Sequence, residues 1–194
     1  MTRLTRWLGR GRVGRQAQRW RAGVRGEPDL EALRRQGLQL EGWVYAGRWT
    51  LIDPGFCWLI SIGAGTVISA RVTVLAHDAS TRNHMGYTRI DRVRIGQKVF
   101  IGTHSVILPG TTIGDGAIIG AGSIVRGEIP PGTVWAGNPA RQIATTEEYI
   151  GRHNQLVAER PRFPFEGYTV EGGITEQGKR EMLEALADGP GYVE

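Results

Sequence analysis

IGQKVF-IGTHSV-ILPGTT-IGDGAI-IGAGSI-V, residues 95–125, carries a repeat of six residues. An aliphatic residue returns every six positions, at Ile95, Ile101, Ile107, Ile113, Ile119 and Val125. Glycine follows directly at Gly96, Gly102, Gly114 and Gly120. A period of six suits neither an amphipathic helix, which repeats near 3.6, nor a strand alternating at two. It suits a chain that turns a corner once per repeat. A short strand aims its aliphatic residue inward, and a glycine then takes the bend, often at positive φ. Three repeats close one triangular coil, and successive coils stack about 4.8 Å apart as parallel strands. The interior becomes a column of Ile and Val, as in other solenoids.

Working outward, a shorter run in its own register precedes this block: Phe56, Ile62, Ile68 and Val74, with Gly63 after Ile62. The two runs predict two coils from Ile95 onward and at least one before it. Composition agrees, because 29 glycines in 194 residues is about twice the usual ~7% and points to many tight corners. The reading is an all-β core, a parallel β-helix over residues 38–143, with short helical extensions at both ends. Pro28 to Gln36 reads as a short helix, with Asp29 at its start and Gly37 as a stop. Thr145 and Glu148 have capping-box spacing ahead of a helix running to about Arg160, where Pro161 and Pro164 break it. Thr175 to Asp188 reads as a last helix. The flanks, residues 1–37 and 144–194, are expected to cover the open ends of the solenoid, whose unpaired strands would otherwise invite aggregation.

Charge is unevenly placed. Eight arginines stand in residues 1–25 with no acid among them, so the chain's net +5 comes from a basic leader and the remainder is net acidic. That leader reads either as a solvated tail or as a peripheral contact with an anionic membrane, with Leu4, Trp7, Leu8, Trp20 and Val24 on the apolar side. No nucleic-acid-binding fold is recognisable, and no nucleic-acid partner is expected. No apolar run of 18 residues exists to predict a spanning helix, and the N-terminus lacks the apolar centre of a secretory signal. The single cysteine, Cys57, cannot form an internal disulfide and fits a reducing cytoplasm.

Val74 and Ile95 lie 21 residues apart, which breaks the six-residue phase. The intervening loop, residues 75–94, carries His77 and His84, two of the four histidines. A loop this long in a compact domain is a functional candidate.

Residues 51–143 resemble the hexapeptide acyltransferases, especially the galactoside, maltose and polysaccharide O-acetyltransferase branch. The resemblance rests on LAHDAS (75–80), IGTHSVILPG (101–110), IGAGSIV (119–125) and AGNPAR (136–141). It implies a left-handed coil, a homotrimer and acetyl-CoA held in a cleft between coils, with no metal required. It implies that His77 is the catalytic base acting on a sugar or sugar-polymer hydroxyl. Histidine suits that task because its unperturbed pKa lies near neutrality. Asp53, Asp78, Asn83, His84 and Tyr87 are the candidates to line the acceptor pocket, and Asp53 or Asp78 to orient the His77 ring. His84 is the rival base. For acetyl-CoA the matching positions are Thr103, Ala121, Arg126, Gly127 and Arg141, the last able to pair with a phosphate through its planar fork. Relatives carry Thr-Lys-Asp where this chain has Arg126-Gly127-Glu128, so a lysine contact is missing. His104 reads as a coil-face residue and His153 as a solvated one.

Three alternatives stand beside this reading. One is N-acetylation of an amino sugar. Another is a zinc lyase on the same coil, which needs three converging histidines and finds the wrong spacing in His77, His84 and His104. The third is a non-catalytic scaffold. The aromatic residues Phe163, Phe165 and Tyr168 of the C-terminal extension are expected to pack, or to contribute to a sugar platform.

Overall fold

The structure, a computed structural model, describes residues 26–194. The basic leader, and with it the membrane reading, lies outside the described residues. The chain divides into two compact units with the boundary after Thr146.

The first unit is the coil. Helix α1 (Leu30–Arg35) is capped by the Asp29 carboxylate, which accepts from the Ala32 amide. It ends as Gly37 turns at φ 110°, and its Leu30 and Leu33 pack against the core. The first coil follows as β1 (Gln39–Leu40), β2 (Val44–Ala46) and β3 (Leu51–Ile52), and the second as β4 (Ile60–Ile62), β5 (Thr66–Ile68) and β6 (Thr73–Val74). An excursion then carries β7 (His77–Asp78), the short helix α2 (Arg82–Met85) and β8 (Arg89–Ile90). The third coil is β9 (Val93–Ile95), β10 (Phe100–Ile101) and β11 (Val106–Ile107); the fourth is β12 (Thr112–Ile113), β13 (Ile118–Ile119) and β14 (Ile124–Val125). A fifth begins with β15 (Glu128–Ile129) and β16 (Thr133–Gly137), and β17 (Ala140–Thr145) folds back antiparallel on β16.

Every first strand of a coil joins one sheet (β1-β4-β9-β12-β15), every second strand another (β2-β5-β10-β13-β16), and every third the last (β3-β6-β11-β14). All neighbours among these are parallel. We call these faces A, B and C. The predicted column is buried: Ile101, Ile107, Ile119 and Val125 have no exposed surface, and Ile95 and Ile113 nearly none. Each such side chain contributes on the order of 1.5–3 kcal/mol by leaving water.

Two expectations need correcting. Leu40, Ala46 and Ile52 form a further coil in six-residue phase, in keeping with the expectation of at least one before Ile95, but Phe56 is not a coil position at all. It caps a single 3₁₀ turn, Cys57–Leu59, inside a second break between Ile52 and Ile62. The glycines after the aliphatics also act differently from the expectation. Gly96, Gly102, Gly114 and Gly63 are not at positive φ; they sit where the next coil's backbone passes. A Cβ on Gly63 would lie 2.6 Å from the Gln97 amide nitrogen, and one on Gly102 would collide with the Ala121 amide. Positive φ falls two residues later, on Gly65, Gly116 and Gly122, and at equivalent corners on Trp49, Arg71, Lys98 and His104.

The second unit contains most of α3 (Thr146–Glu159), β18 (Arg162–Phe163), α4 (Glu176–Ala185) and β19 (Tyr192–Val193), with β18 and β19 paired in parallel. Thr175 caps α4 by accepting from the Gly178 amide. Phe163 is buried against Tyr168, ring centroids 5.2 Å apart, while Phe165 is exposed. His153 is not the solvated residue expected: its Nδ1 lies 3.0 Å from the Tyr192 hydroxyl and its ring packs on Tyr149.

Candidate active site

Both breaks in the six-residue phase fall at the same corner, where face C turns into face A. The first, after β3, starts with Asp53; the second, after β6, starts with Leu75-Ala76-His77. Because β3 and β6 are paired in register (Ile52 with Val74), the two departing segments leave side by side. That juxtaposition puts the Asp53 carboxylate 2.5 Å from His77 Nδ1. The same carboxylate accepts the Ala76 amide at 3.0 Å and the Gly55 amide at 3.0 Å.

Asp53 has only 1% of its side-chain surface exposed, against 36% for His77. Burial works to raise the Asp53 pKa, but the hydrogen bond to His77 and the two backbone amides together outweigh it, and the carboxyl is held below its ordinary value. It is therefore a carboxylate at neutral pH, an acceptor only, and His77 Nδ1 must be the donor. In the neutral ring, that donor fixes the tautomer whose Nε2 carries a lone pair. A base with one nitrogen anchored to a buried carboxylate, and the other without a hydrogen-bond partner among the described residues, is equipped to take a proton and to be stabilised as the cation.

The other predicted acceptor residues separate. Asp78 makes no hydrogen bond to the His77 imidazole; its carboxylate accepts the Ser80 amide at 2.8 Å, which holds its pKa down. Asn83 and His84 are on α2, and both are exposed. Tyr87 is 75% exposed, its carbonyl accepting from the Thr81 hydroxyl. The residue that sequence reasoning missed is Phe56, whose ring centroid lies 5.3 Å from that of His77. The signal available was the ten-residue gap between Ile52 and Ile62, a break like the longer one after Val74.

Among the predicted acetyl-CoA residues, Thr103 and Ala121 stack in consecutive coils at the corner between faces B and C, where Gly122 N–H donates to the Thr103 carbonyl at 2.8 Å. Arg141, on β17, pairs with Ala136, and Ala136 abuts Gly120 at this same corner. Arg126 and Gly127 do not join them; they turn the next corner, between β14 and β15. His104 completes a directed chain there. Arg71 faces its Nε2 at 3.4 Å, its Nδ1 lies 3.0 Å from the Thr103 hydroxyl, and that hydroxyl donates to the Ala70 carbonyl at 2.6 Å. His77, His84 and His104 thus stand on separate elements. Among the described residues no three His, Cys, Asp or Glu side chains are grouped to hold a metal ion.

Residues 92–127 match the model for the bacterial transferase hexapeptide, six repeats. A putative acetyltransferase of Bacillus subtilis strain 168, YvoF, is 44% identical over 89 residues, 46% of this chain and 49% of that protein. The galactoside O-acetyltransferase of Escherichia coli K12 is 40% identical over 130 residues, 64% of this chain and 57% of that one. The chain spans about half the length of these curated relatives. Among solved structures, AntD, an N-acyltransferase from Bacillus cereus in complex with dTDP and 3-hydroxybutyryl-CoA, superimposes with a TM-score of 0.50 at 25% identity. The match covers 62% of this chain and 69% of that one. No helix among the described residues is long and apolar enough to cross a membrane.

Proposed function

We propose that this protein is an acyl-CoA-dependent acetyltransferase that moves an acetyl group from acetyl-CoA to a hydroxyl of a sugar or polysaccharide precursor. The observation that carries the reading is the Asp53–His77 pair, a buried carboxylate anchoring an imidazole whose Nε2 has no hydrogen-bond partner among the described residues. His77 Nε2 removes the proton of the acceptor hydroxyl as its oxygen attacks the thioester carbonyl. Asp53 stabilises the resulting imidazolium, which a lone exposed histidine would lack. Backbone N–H groups at a coil corner hold the tetrahedral oxyanion. Collapse expels the CoA thiolate, which takes the proton back from Nε2, leaving acetyl ester and free thiol. Thr103, Ala121 and Arg141 offer acetyl-CoA one continuous corner, while Arg126 and Gly127 would contact it only from the neighbouring corner.

We infer further that the coil is left-handed and assembles with copies of itself, as the resemblance implies. Face B presents Tyr45, Val67, Phe100 and Ile118 outward in one register, and face C presents Leu51, Thr73, Val106 and Ile124. Face A presents Gln39, Ser61, Arg94, Thr112 and Glu128. Two apolar faces and one polar face favour burial of B and C between identical subunits. Light scattering is expected to give a trimer; a monomer would remove this part.

The amine acceptor is the second reading, favoured by the likeness to an N-acyltransferase. Thiol release from acetyl-CoA, followed against sugars and amino sugars with His77→Ala alongside, separates the cases. Turnover that persists at the wild-type rate in the variant would exclude His77 as the base.

A further inference from the structure

The segment between β3 and β4 is more than a connection. Its first residue, Asp53, is tied to His77 and to the Gly55 and Ala76 amides. Its centre, Cys57, has no exposed surface and points its thiol at the Leu33 and Gln36 carbonyls, 3.7 and 3.6 Å away at the end of α1. The residue after that, Trp58, stands against Gly37, where an added Cβ would lie 2.8 Å from the Trp58 Cβ. The segment is thus fastened at both ends and in the middle. Between these fixings it holds two aromatic rings at the catalytic corner. Phe56 is 5.3 Å from the His77 ring and 5.6 Å from the Trp58 ring, and Trp58 is 49% exposed.

A half-exposed tryptophan backed by buried anchors on one side, and continuous with the base on the other, is a preorganised surface. Aromatic faces carry partial negative charge. The complementary ligand surface is flat, apolar and edged with weakly positive hydrogens. A hexopyranose has such a face in its axial C–H groups, while its hydroxyls project from the rim, where one can meet His77 Nε2. An acyclic polyol has the hydroxyls without the face.

We propose that Trp58 and Phe56 form the acceptor platform and that it selects a pyranose ring, resting on the reading of His77 as the base of an acetyltransferase. Trp58 carries the ring and Phe56 sets its distance from the imidazole. The N-terminal helix therefore buttresses the acceptor site as well as covering the first coil.

The test uses the full chain with methyl β-D-galactopyranoside, methyl α-D-glucopyranoside and sorbitol. Saturation-transfer NMR without acetyl-CoA is expected to show the pyranoside ring hydrogens in contact with the wild-type protein. That signal should be lost in Trp58→Leu, weakened in Phe56→Leu and restored in Trp58→Tyr. With acetyl-CoA, kcat/KM for the pyranosides should fall about 10-fold or more in Trp58→Leu, while the KM for acetyl-CoA changes less than about twofold. Unchanged pyranoside binding in both leucine variants overturns the platform, as does absence of pyranoside binding to the wild type. Equal wild-type transfer to sorbitol and pyranosides overturns the selectivity. Pyranoside binding through Trp58 with no acetyl transfer to any acceptor would keep the platform and remove the transferase reading instead.

Discussion

Two corners of one coil are put to different uses. At the corner between faces B and C the repeat is unbroken, and Thr103 and Ala121 stack directly because Gly102 admits the next backbone. At the corner between faces C and A the repeat is broken twice, after Ile52 and after Val74, and the breaks bring Asp53 to His77. Regular corners give repetition, a ladder of equivalent backbone groups suited to a long, extended ligand. Broken corners give convergence, since segments from separate coils leave together and can meet. A site that needs two unlike groups within hydrogen-bond distance fits the second kind.

The largest effect is expected at the broken corner. His77→Ala should lower acetyl transfer by about 10³–10⁴-fold, the scale of a lost general base, with the acetyl-CoA KM little changed in steady-state assays. Asp53→Asn should follow with about 10²–10³-fold in kcat, because an amide can offer Nδ1 a donor as well as an acceptor and no longer fixes the tautomer or stabilises the imidazolium.

The same residue gives a pH signature. Asp53 is held below its ordinary value of 3.8 in the folded state. Its contribution to stability is present above that value and is lost as pH falls through the lower, folded value. Thermal unfolding below about pH 4 should therefore be less steeply pH-dependent in Asp53→Asn than in the wild type. Equal slopes would mean that the carboxylate is not paired in the folded protein.

At the regular corner the expected effects are on stability. Gly102→Ala drives a Cβ into the Ala121 amide of the next coil and should cost about 2–3 kcal/mol in denaturant unfolding, as overpacking does. Gly122→Ala meets nothing within 4 Å but sits at φ +70°, so it should cost only about 1–2 kcal/mol of backbone strain. A reversed order would show that backbone conformation, not coil spacing, dictates glycine here.

Much of this was open to a reader of the sequence. The column from Ile95 to Val125 is legible because burial of one residue in six is the same physical demand at every turn. His77 is legible because it interrupts that demand. Asp53 was visible as one of two candidates to orient the ring, but the choice between it and Asp78 was not: its distance from His77 along the chain says nothing of the β3–β6 register that joins them. Phe56 was misread as a coil residue because it lies six positions before Ile62, and an aromatic at the right interval satisfies a pattern whether or not it points inward. Positive φ at the corners was expected of glycine and is found on Gly65, Gly116 and Gly122, but the glycines directly after the aliphatics were explained wrongly, since what excludes a side chain at Gly96, Gly102 and Gly114 is a backbone about 18 residues later.

The repeat, the strand direction and the inward column are written in the residues, because these follow from local periodicity and from hydrophobic burial. The sequence also singled out the loop that carries His77. Only the tertiary structure decided which carboxylate holds the imidazole, which tautomer results and which aromatic rings stand beside it. Those depend on in-register contact between residues about 20 positions apart, and hydrogen bonds and ring contacts act over a few ångströms of space, not along the chain.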